Sequence, residues 1–450
     1  MKNSIHHCRV AAPSFAAAPR PSFAAQRHPS FATKWRSSFA TPWRPSFVVA
    51  LALAAASASA TDGRYRDFVI GERAGGMGGA ALAVATDVDA IYYNPAGLAH
   101  SRGDSISLSA NLYGLEHHRT KGALDWGADD KSDTFVTIPG AMGGVARLAE
   151  DWVGGFGVFA PKQEKRHLIA ADGARRNFSH SDYNDQTLWI GPAVAWAPAD
   201  SRLSLGAGLF AVYRDCSISQ STFQSGLYTM NGAIDLAVLG VLASVGAQYD
   251  LGDGWRIGAT IQSPNLRVWD EGTLSLNAAG GADGFGIYST DVRADNYIPY
   301  QVAVGIGRTV PDVWGFALDA IYHPSKTFDL MRWNIMGAPV SQSVRLHSVL
   351  DVSLGGEYIV AKRYPIRAGF YTGFSSVRVP DDPGDADMVT TDVDMYGVTF
   401  SVGRRGDNMS VNFGIDYAFG EGHDLGNGGK SRTDCDRNVL LAIVSTTYYF

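Results

Sequence analysis

The sequence predicts an all-β chain: a fourteen-stranded antiparallel transmembrane β-barrel with a short N-terminal hatch inside its lumen. Three observations carry that expectation. Short runs of alternating apolar and polar residues follow one another from Ser105 to Phe450, broken by Gly, Asp and Asn. The connections between the runs alternate between short and long. After residue 60 no stretch of about 18 uncharged apolar residues occurs, so spanning helices are not expected.

Composition and charge narrow the class further. Charged residues make up only 18% of the chain, below the quarter usual for soluble proteins. Charge is also divided by position. All 44 Asp and Glu fall after residue 60, together with 31 of the 38 Lys and Arg. An acidic body without a basic run argues against nucleic acid as a partner. Of the three cysteines, Cys8 lies near the start, and Cys216 and Cys435 remain. Two cysteines make no disulfide framework, and two separate thiols are expected rather than a bridge.

The leader comes first. A basic stretch ends at Arg44, and the apolar core Phe47–Ala56 and the small-x-small site Ala58-Ser59-Ala60 follow. Residues 45–60 therefore read as the core and cleavage site of a secretory signal peptide, cut after Ala60. Residues 1–44 contain a basic eight-residue repeat that begins PSFAAAPR, PSFAAQRH and PSFATKWR. Structural repeats bury a face over about 20 residues or more, so this octad reads as low-complexity and disordered.

Residues 61–104 come next. They are too few for a large plug domain and too apolar for a solvated tail. Gly71, Gly75, Gly76, Gly78 and Gly79 permit close backbone packing. The expected form is a small hatch folded inside the barrel, ending at Asn94-Pro95-Ala96-Gly97. The glycine run lacks the Lys-Ser/Thr ending of a phosphate loop, so that reading is rejected.

Residues 105–450 form the barrel. Fourteen strands are read at 105–119, 133–148, 152–160, 186–197, 202–217, 233–250, 254–264, 286–308, 314–323, 344–360, 364–375, 393–403, 409–419 and 438–450. In the clearest, Val411, Phe413, Ile415, Tyr417 and Phe419 share one face, and Asn412, Gly414 and Asp416 the other. Aromatic residues at the ends of an apolar face suit a lipid-facing exterior. The long connections are read near 120–132, 161–185, 218–232, 265–285, 324–343, 376–392 and 420–437. An even strand count puts both chain ends on the short-turn, periplasmic side of a Gram-negative outer membrane. The terminal Phe450, on a face with Tyr448, Thr446, Val444 and Ala442, reads as the signal for the barrel-assembly machinery.

These stretches resemble the FadL-type family of outer-membrane hydrocarbon and long-chain fatty-acid channels. The matching residues are AGGMGGAALAVATDVDAIYYNPAGLA, IPGAMGGVARLAEDWVGGFGVFAPK, IGPAVAWAPADSRLSLGAGLFAVY, LGDGWRIGATIQSP, YIPYQVAVGIGRTV and Phe450. They occur in order over about 75–320 and at the end of the chain. The resemblance implies a fourteen-stranded barrel, a hatch carrying Asn94-Pro95-Ala96, and passive uptake of hydrophobic molecules with sideways exit through the wall. The competing reading is a non-transporting outer-membrane barrel that scaffolds or anchors secreted proteins.

Site residues follow from strand parity. Phe210, Arg214, Arg345, His347 and Arg367 are candidate lumen or ligand-pocket residues. Asp319, Asp351, Glu357 and Asp416 also fall on lumen faces, where buried charges are expected to pair. The apolar stretches Phe135–Met142 and Ile234–Ala247 would make either a greasy pocket or a seat for the hatch. Pro139 and Pro192 lie inside strands and cannot complete a ladder, and Gly154 and Gly155 add local weakness. These four mark a candidate gap near the second to fourth strands. His117 and His118 lack a third ligand, so no metal is expected. No G-x-S-x-G or H-E-x-x-H occurs, and neither catalysis nor a cofactor is expected. The expected partners are hydrophobic small molecules and outer-membrane lipid, around a monomer.

Overall fold

The computed structural model describes residues 63–450 except 125, 175, 281, 282, 336, 337, 382–390 and 427–430. The octad repeat, the leader and its cleavage site lie outside the described residues. The strands are β1 (Ser105–Thr120), β2 (Asp130–Ala149), β3 (Trp152–Asp172), β4 (Asn177–Trp196), β5 (Leu203–Gln224), β6 (Tyr228–Gly252) and β7 (Trp255–Gln262). They continue with β8 (Leu266–Gly280), β9 (Asp283–Ser289), β10 (Arg293–Ala294), β11 (Gln301–Val310), β12 (Trp314–His323), β13 (Lys326–Ile335) and β14 (Ala338–Leu346). The last are β15 (Val349–Val360), β16 (Tyr364–Gly373), β17 (Thr391–Arg405), β18 (Met409–Gly426) and β19 (Ser431–Tyr449).

Fourteen of these strands form the wall. Sheet order runs β1 to β7, then β11, β12 and β15 to β19, and β19 pairs back onto β1. Closure gives every wall strand a partner on each side over at least part of its length. The short turns at one rim follow local chemistry. At Asp253-Gly254 both residues have positive φ, at 52° and 79°, the geometry that matches hairpin twist. The outward faces are apolar and bounded by aromatic residues. Trp152, Trp196, Tyr249, Tyr358 and Tyr448 lie exposed near the short-turn rim, and Tyr213, Tyr322, Tyr396 and Phe419 near the other. In β12, Trp314 and Tyr322 are eight positions apart, roughly 20–25 Å along a tilted strand and close to the apolar band of such barrels.

The wall is taller than the alternation indicates. β3 to β6 run 20 to 25 residues, whereas β7, β11, β12 and β16 run 8 to 10. Much of 161–185, 218–232 and 420–437, read as long loops, is strand. These segments carry polar residues on both faces, so they lack the period-2 signal. Beyond the bilayer an outward face need not be apolar, and ladder hydrogen bonds hold them instead. Two strands start later than expected. The wall strand read at 286–308 is β11, and its first part belongs to the loop strand β9. The strand read at 344–360 begins at Val349, after a break at His347-Ser348.

Two insertions fold inward. Residues 63–104 thread through the barrel as a one-turn helix (Arg73–Gly76), a helix (Asp87–Tyr93) and a 3-10 helix (Pro95–His100). Pro95 has no N–H to extend the longer helix, and the Asn94 side chain accepts from the Ala96 amide to start the next turn. Ile70, Ala85, Val88, Ile91 and Leu98 of this segment share a core with Ala141, Val145, Phe159, Trp189, Phe210 and Leu242 of the wall. Nearer the long-loop rim, β13 and β14 pair as a hairpin. Their Leu330, Met331, Trp333, Val344 and Leu346 pack on Tyr183, Cys216, Ile234, Leu236 and Val238. Ala141 and the inward face of 234–247, with Ile234, Leu236, Val238 and Leu242, are thus used for packing against these insertions. Both Cys216 and Cys435 are free and buried.

Candidate ligand chamber and wall break

Asn94 is the hinge point between segment and wall. It is fully buried, and its Nδ2 donates to Leu82 O at 2.8 Å and to Ala247 O at 3.2 Å. The Leu82 carbonyl also accepts from Gln248 Nε2 at 2.9 Å. Three strands along the same wall, Asp319 accepts from the Ala81 and Leu82 amides at 2.6 and 2.9 Å. The Leu82 carbonyl and the Ala81 and Leu82 amides of this tight turn are therefore all hydrogen-bonded, as burial requires. The wall makes room by omitting side chains. A Cβ on Gly206, Gly246 or Gly258 would overlap Pro95, Asn94 or the Leu82 carbonyl. Gly97 is similarly closed in by Ala85 O.

The segment is also held by charge. Asp89 accepts from the Glu72, Arg73 and Ala74 amides at 2.9 to 3.1 Å. Burial lifts its carboxyl to about 6 despite those donors. Glu357 takes Arg73 from the segment at 3.3 Å and Arg367 and Arg405 from the wall at 2.7 and 2.8 Å. Arg367 is thus inside the lumen but committed to Glu357 and to Asn412 Oδ1.

Above this lies a cavity of about 70 Å³. Its walls are Pro161, Lys162, Thr187, Trp189 and Arg214, its roof is Phe328, Leu330, Val344 and Leu346 of the inward hairpin, and Tyr297 and Ile298 close one side. Gly63, Arg64 and Tyr65 enter it from the N-terminal segment. Ser376 Oγ donates to Gly63 O at 2.6 Å, so the segment begins in the long-loop half of the lumen rather than at the short-turn rim. Arg214 lines the cavity and forms a two-pronged pair with Asp185, both bonds at 2.8 Å. Phe210 lies beneath, packed against Trp189 and Phe159 with ring centroids 5.9 and 6.4 Å apart.

Arg345 and His347 require correction. Both are exposed, while Val344 and Leu346 face inward. Parity was counted back from Leu350, but the break at 347–348 separates β14 from β15 and resets it. Asp319, Glu357 and Asp416 are buried, and Asp351 accepts from the Phe374 amide and Thr372 hydroxyl.

The wall is interrupted beside the cavity. The β2–β3 ladder runs from the short-turn rim only to Ala141–Phe159. Above that point β2 pairs with β1 and β3 pairs with β4, and no ladder pair joins β2 to β3 among the described residues. The β3–β4 register also slips between Phe159 and Lys162. Ala160 and Pro161 thus belong to neither ladder. Pro139 lies in a bulge of β2 at the same level, between Ile138 and Ala141. Around Pro192 two pairs with β5 are missing, at Gly191 and Pro192, and the register resumes unchanged at Ala193–Gly208. Gly154 and Gly155 sit in continuous ladders, so they make no gap. Gly155 instead leaves space for Ile91 of the N-terminal segment. Pro161 is the residue the sequence reading missed. Its signal was visible, a proline immediately after a strand, but that strand was ended at residue 160.

Below the break the lipid face is concave. Gly144, Ala146, Gly154, Val194, Ala207 and Ala243 form the floor of a groove of about 1020 Å³, flanked by Ile106, Leu148, Phe156, Leu209 and Phe450.

Comparison with solved structures finds the same fold in a Pseudomonas aeruginosa FadL homologue, with TM-score 0.65 and 14% identity over 86% of this chain and 100% of that one. The Pseudomonas putida toluene transporter TodX aligns with TM-score 0.65 and 16% identity over 85% and 100% of the two chains. The Ralstonia pickettii toluene transporter TbuX gives 0.58 and 18% over 85% and 98%. No curated protein sequence matches. The model of the outer membrane protein transport protein family (OMPP1/FadL/TodX) matches residues 51–448, and the chain belongs to that family of outer-membrane channels for hydrophobic compounds.

Proposed function

We propose that this barrel admits small aromatic hydrocarbons to the chamber roofed by the β13–β14 hairpin and releases them sideways through the break between β2 and β3. The carrying observation is that Pro161 and Lys162 line the cavity and also flank the place where β3 leaves its neighbours. A ligand leaving there meets the lipid face rather than the periplasm. Residues 63–104 act as the hatch that closes the straight path. The groove is apolar and the chamber offers apolar and aromatic faces between its polar groups, so the journey needs no energy source. Trp189, Tyr297 and Phe328 offer ring faces to a planar ligand. Arg214 is committed to Asp185, which favours a neutral ligand over a fatty-acid carboxylate. In this reading the chain is exported by its leader, assembled through Phe450, and works as a monomer whose C-terminus faces the periplasm.

Uptake into proteoliposomes tests the substrate class. Labelled toluene is expected to equilibrate at least tenfold faster with protein than without, and oleate to show little protein-dependent entry. Rapid entry of oleate alone would overturn the neutral-ligand reading. No protein-dependent entry of either compound would favour the non-transporting scaffold.

A further inference from the structure

We infer that the lumen wall near the long-loop rim holds a divalent metal ion of the zinc class, on His118, Asp424 and Cys435. Strand pairing assembles a site that sequence spacing cannot show. Thr120 of β1 is opposite Cys435 of β19, and Cys435 is opposite Gly422 of β18. His118 and Asp424 each lie two residues from those partners, on the same inward face. Their ligand atoms all fall within 4.8 Å of one another. His118 Nε2 is 3.6 Å from Cys435 Sγ. Tetrahedral zinc with bonds of about 2.0 and 2.3 Å to nitrogen and sulfur sets its ligands about this far apart. Thr120 Oγ1 donates to Asp424 Oδ2 at 3.0 Å and lies 3.2 Å from His118 Nε2 and 3.5 Å from Cys435 Sγ, so it gathers the three groups.

Charged side chains surround the three groups. His118, Thr120 and Cys435 are almost fully buried. Arg166 pairs with Glu164 at 3.1 Å, and Asp130 and Asp424 also face it. Arg437 pairs with Glu116 at 2.6 Å and lies 3.9 Å from Glu164. Among the described residues of this patch, four carboxylates face two guanidiniums. The donor set of imidazole, carboxylate and thiolate suits zinc or cobalt better than calcium or magnesium. Binding releases the Cys435 thiol proton to water, and the sulfur lone pair forms the bond to the metal. The ion would fasten β1, β18 and β19 where the wall stands beyond the bilayer.

Cobalt(II) titration of the detergent-purified barrel tests this. One equivalent is expected to bind, with a thiolate-to-cobalt charge-transfer band in the near ultraviolet. Cys435→Ser should abolish the band, and His118→Gln should weaken binding at least tenfold. Cys216→Ser should change neither. Folding of each variant is checked by its heat-modifiable gel migration. A second cluster, His167, His180 and Asp182, is only partly buried and contains no sulfur. The inference is overturned if no charge-transfer band appears. It is also overturned if folded Cys435→Ser binds as the parent does, or if only His167→Gln with His180→Gln removes binding.

Discussion

Valine at both Gly246 and Gly258 is expected to push the N-terminal segment off the wall and convert a closed barrel into an ion-conducting pore. Gly246 faces Asn94, and Gly258 faces the Leu82 carbonyl, in each case with no space for a Cβ. The obstructing atoms are backbone or a buried, fully bonded side chain, so neither can swing aside. Three hydrogen bonds converge on this point, from Asn94 to Leu82 and Ala247 and from Gln248 to Leu82. Each buried polar group left unpaired costs about 1–3 kcal/mol. Together they outweigh what a valine methyl pair contributes by packing. The wall ladders are untouched, so the barrel should still fold. In planar bilayers the parent should be silent and the double variant should conduct stably. A silent, folded double variant would mean that the segment can be displaced without opening a path.

The second large effect is expected from sealing the wall. Continuing the β2–β3 ladder one step past Ala141–Phe159 would set Gly140 opposite Ala160, and no pair forms there. Gly140→Cys with Ala160→Cys, joined by a reducible bis-thiol crosslinker, should lower toluene entry at least tenfold. Reduction should restore it. The crosslink is made in a Cys216→Ser, Cys435→Ser background, so that only the introduced thiols react. Unchanged entry through the sealed wall would direct attention to a path past Asn94 instead.

The wall was legible because lipid imposes a strict rule. Outward residues such as Phe413, Ile415 and Tyr417 must be apolar, and inward Asn412 and Asp416 need not be. Where that rule lapses, legibility lapses too. The upper parts of β3, β4 and β5 face water on one side and a polar lumen on the other, so Lys162–His167 and Asn177–Gln186 look like loops. Hairpin β13–β14 folds inward through contacts such as Leu346 with the wall, and no local pattern announces that. The same break misled the parity that put Arg345 and His347 in the lumen. Pro139 marks a bulge on the side of the barrel where the β2–β3 ladder stops. Pro192 sits where its partner strand resumes in register, whereas Pro161 sits where two ladders fail together. In sequence, Gly154 and Gly155 read as local weakness. Gly155, Gly206, Gly246 and Gly258 are better understood as the mould of the N-terminal segment, a fact that only the assembled barrel displays. His118 lacked a third ligand in sequence because its companions arrive from strands more than 300 residues away.

The central claim is a path, from the chamber to the break and out into lipid. Photolabelling traces it directly. Proteoliposomes loaded with a diazirine-bearing toluene are irradiated, digested and mapped by mass spectrometry. Labels are expected on Trp189, Phe328 and Leu346 in the chamber and on Ala160 and Pro161 at the break, with Met77 and Ile70 unmarked. Labels on Met77 and Ile70 with none at the break would show passage through the N-terminal segment and contradict the account.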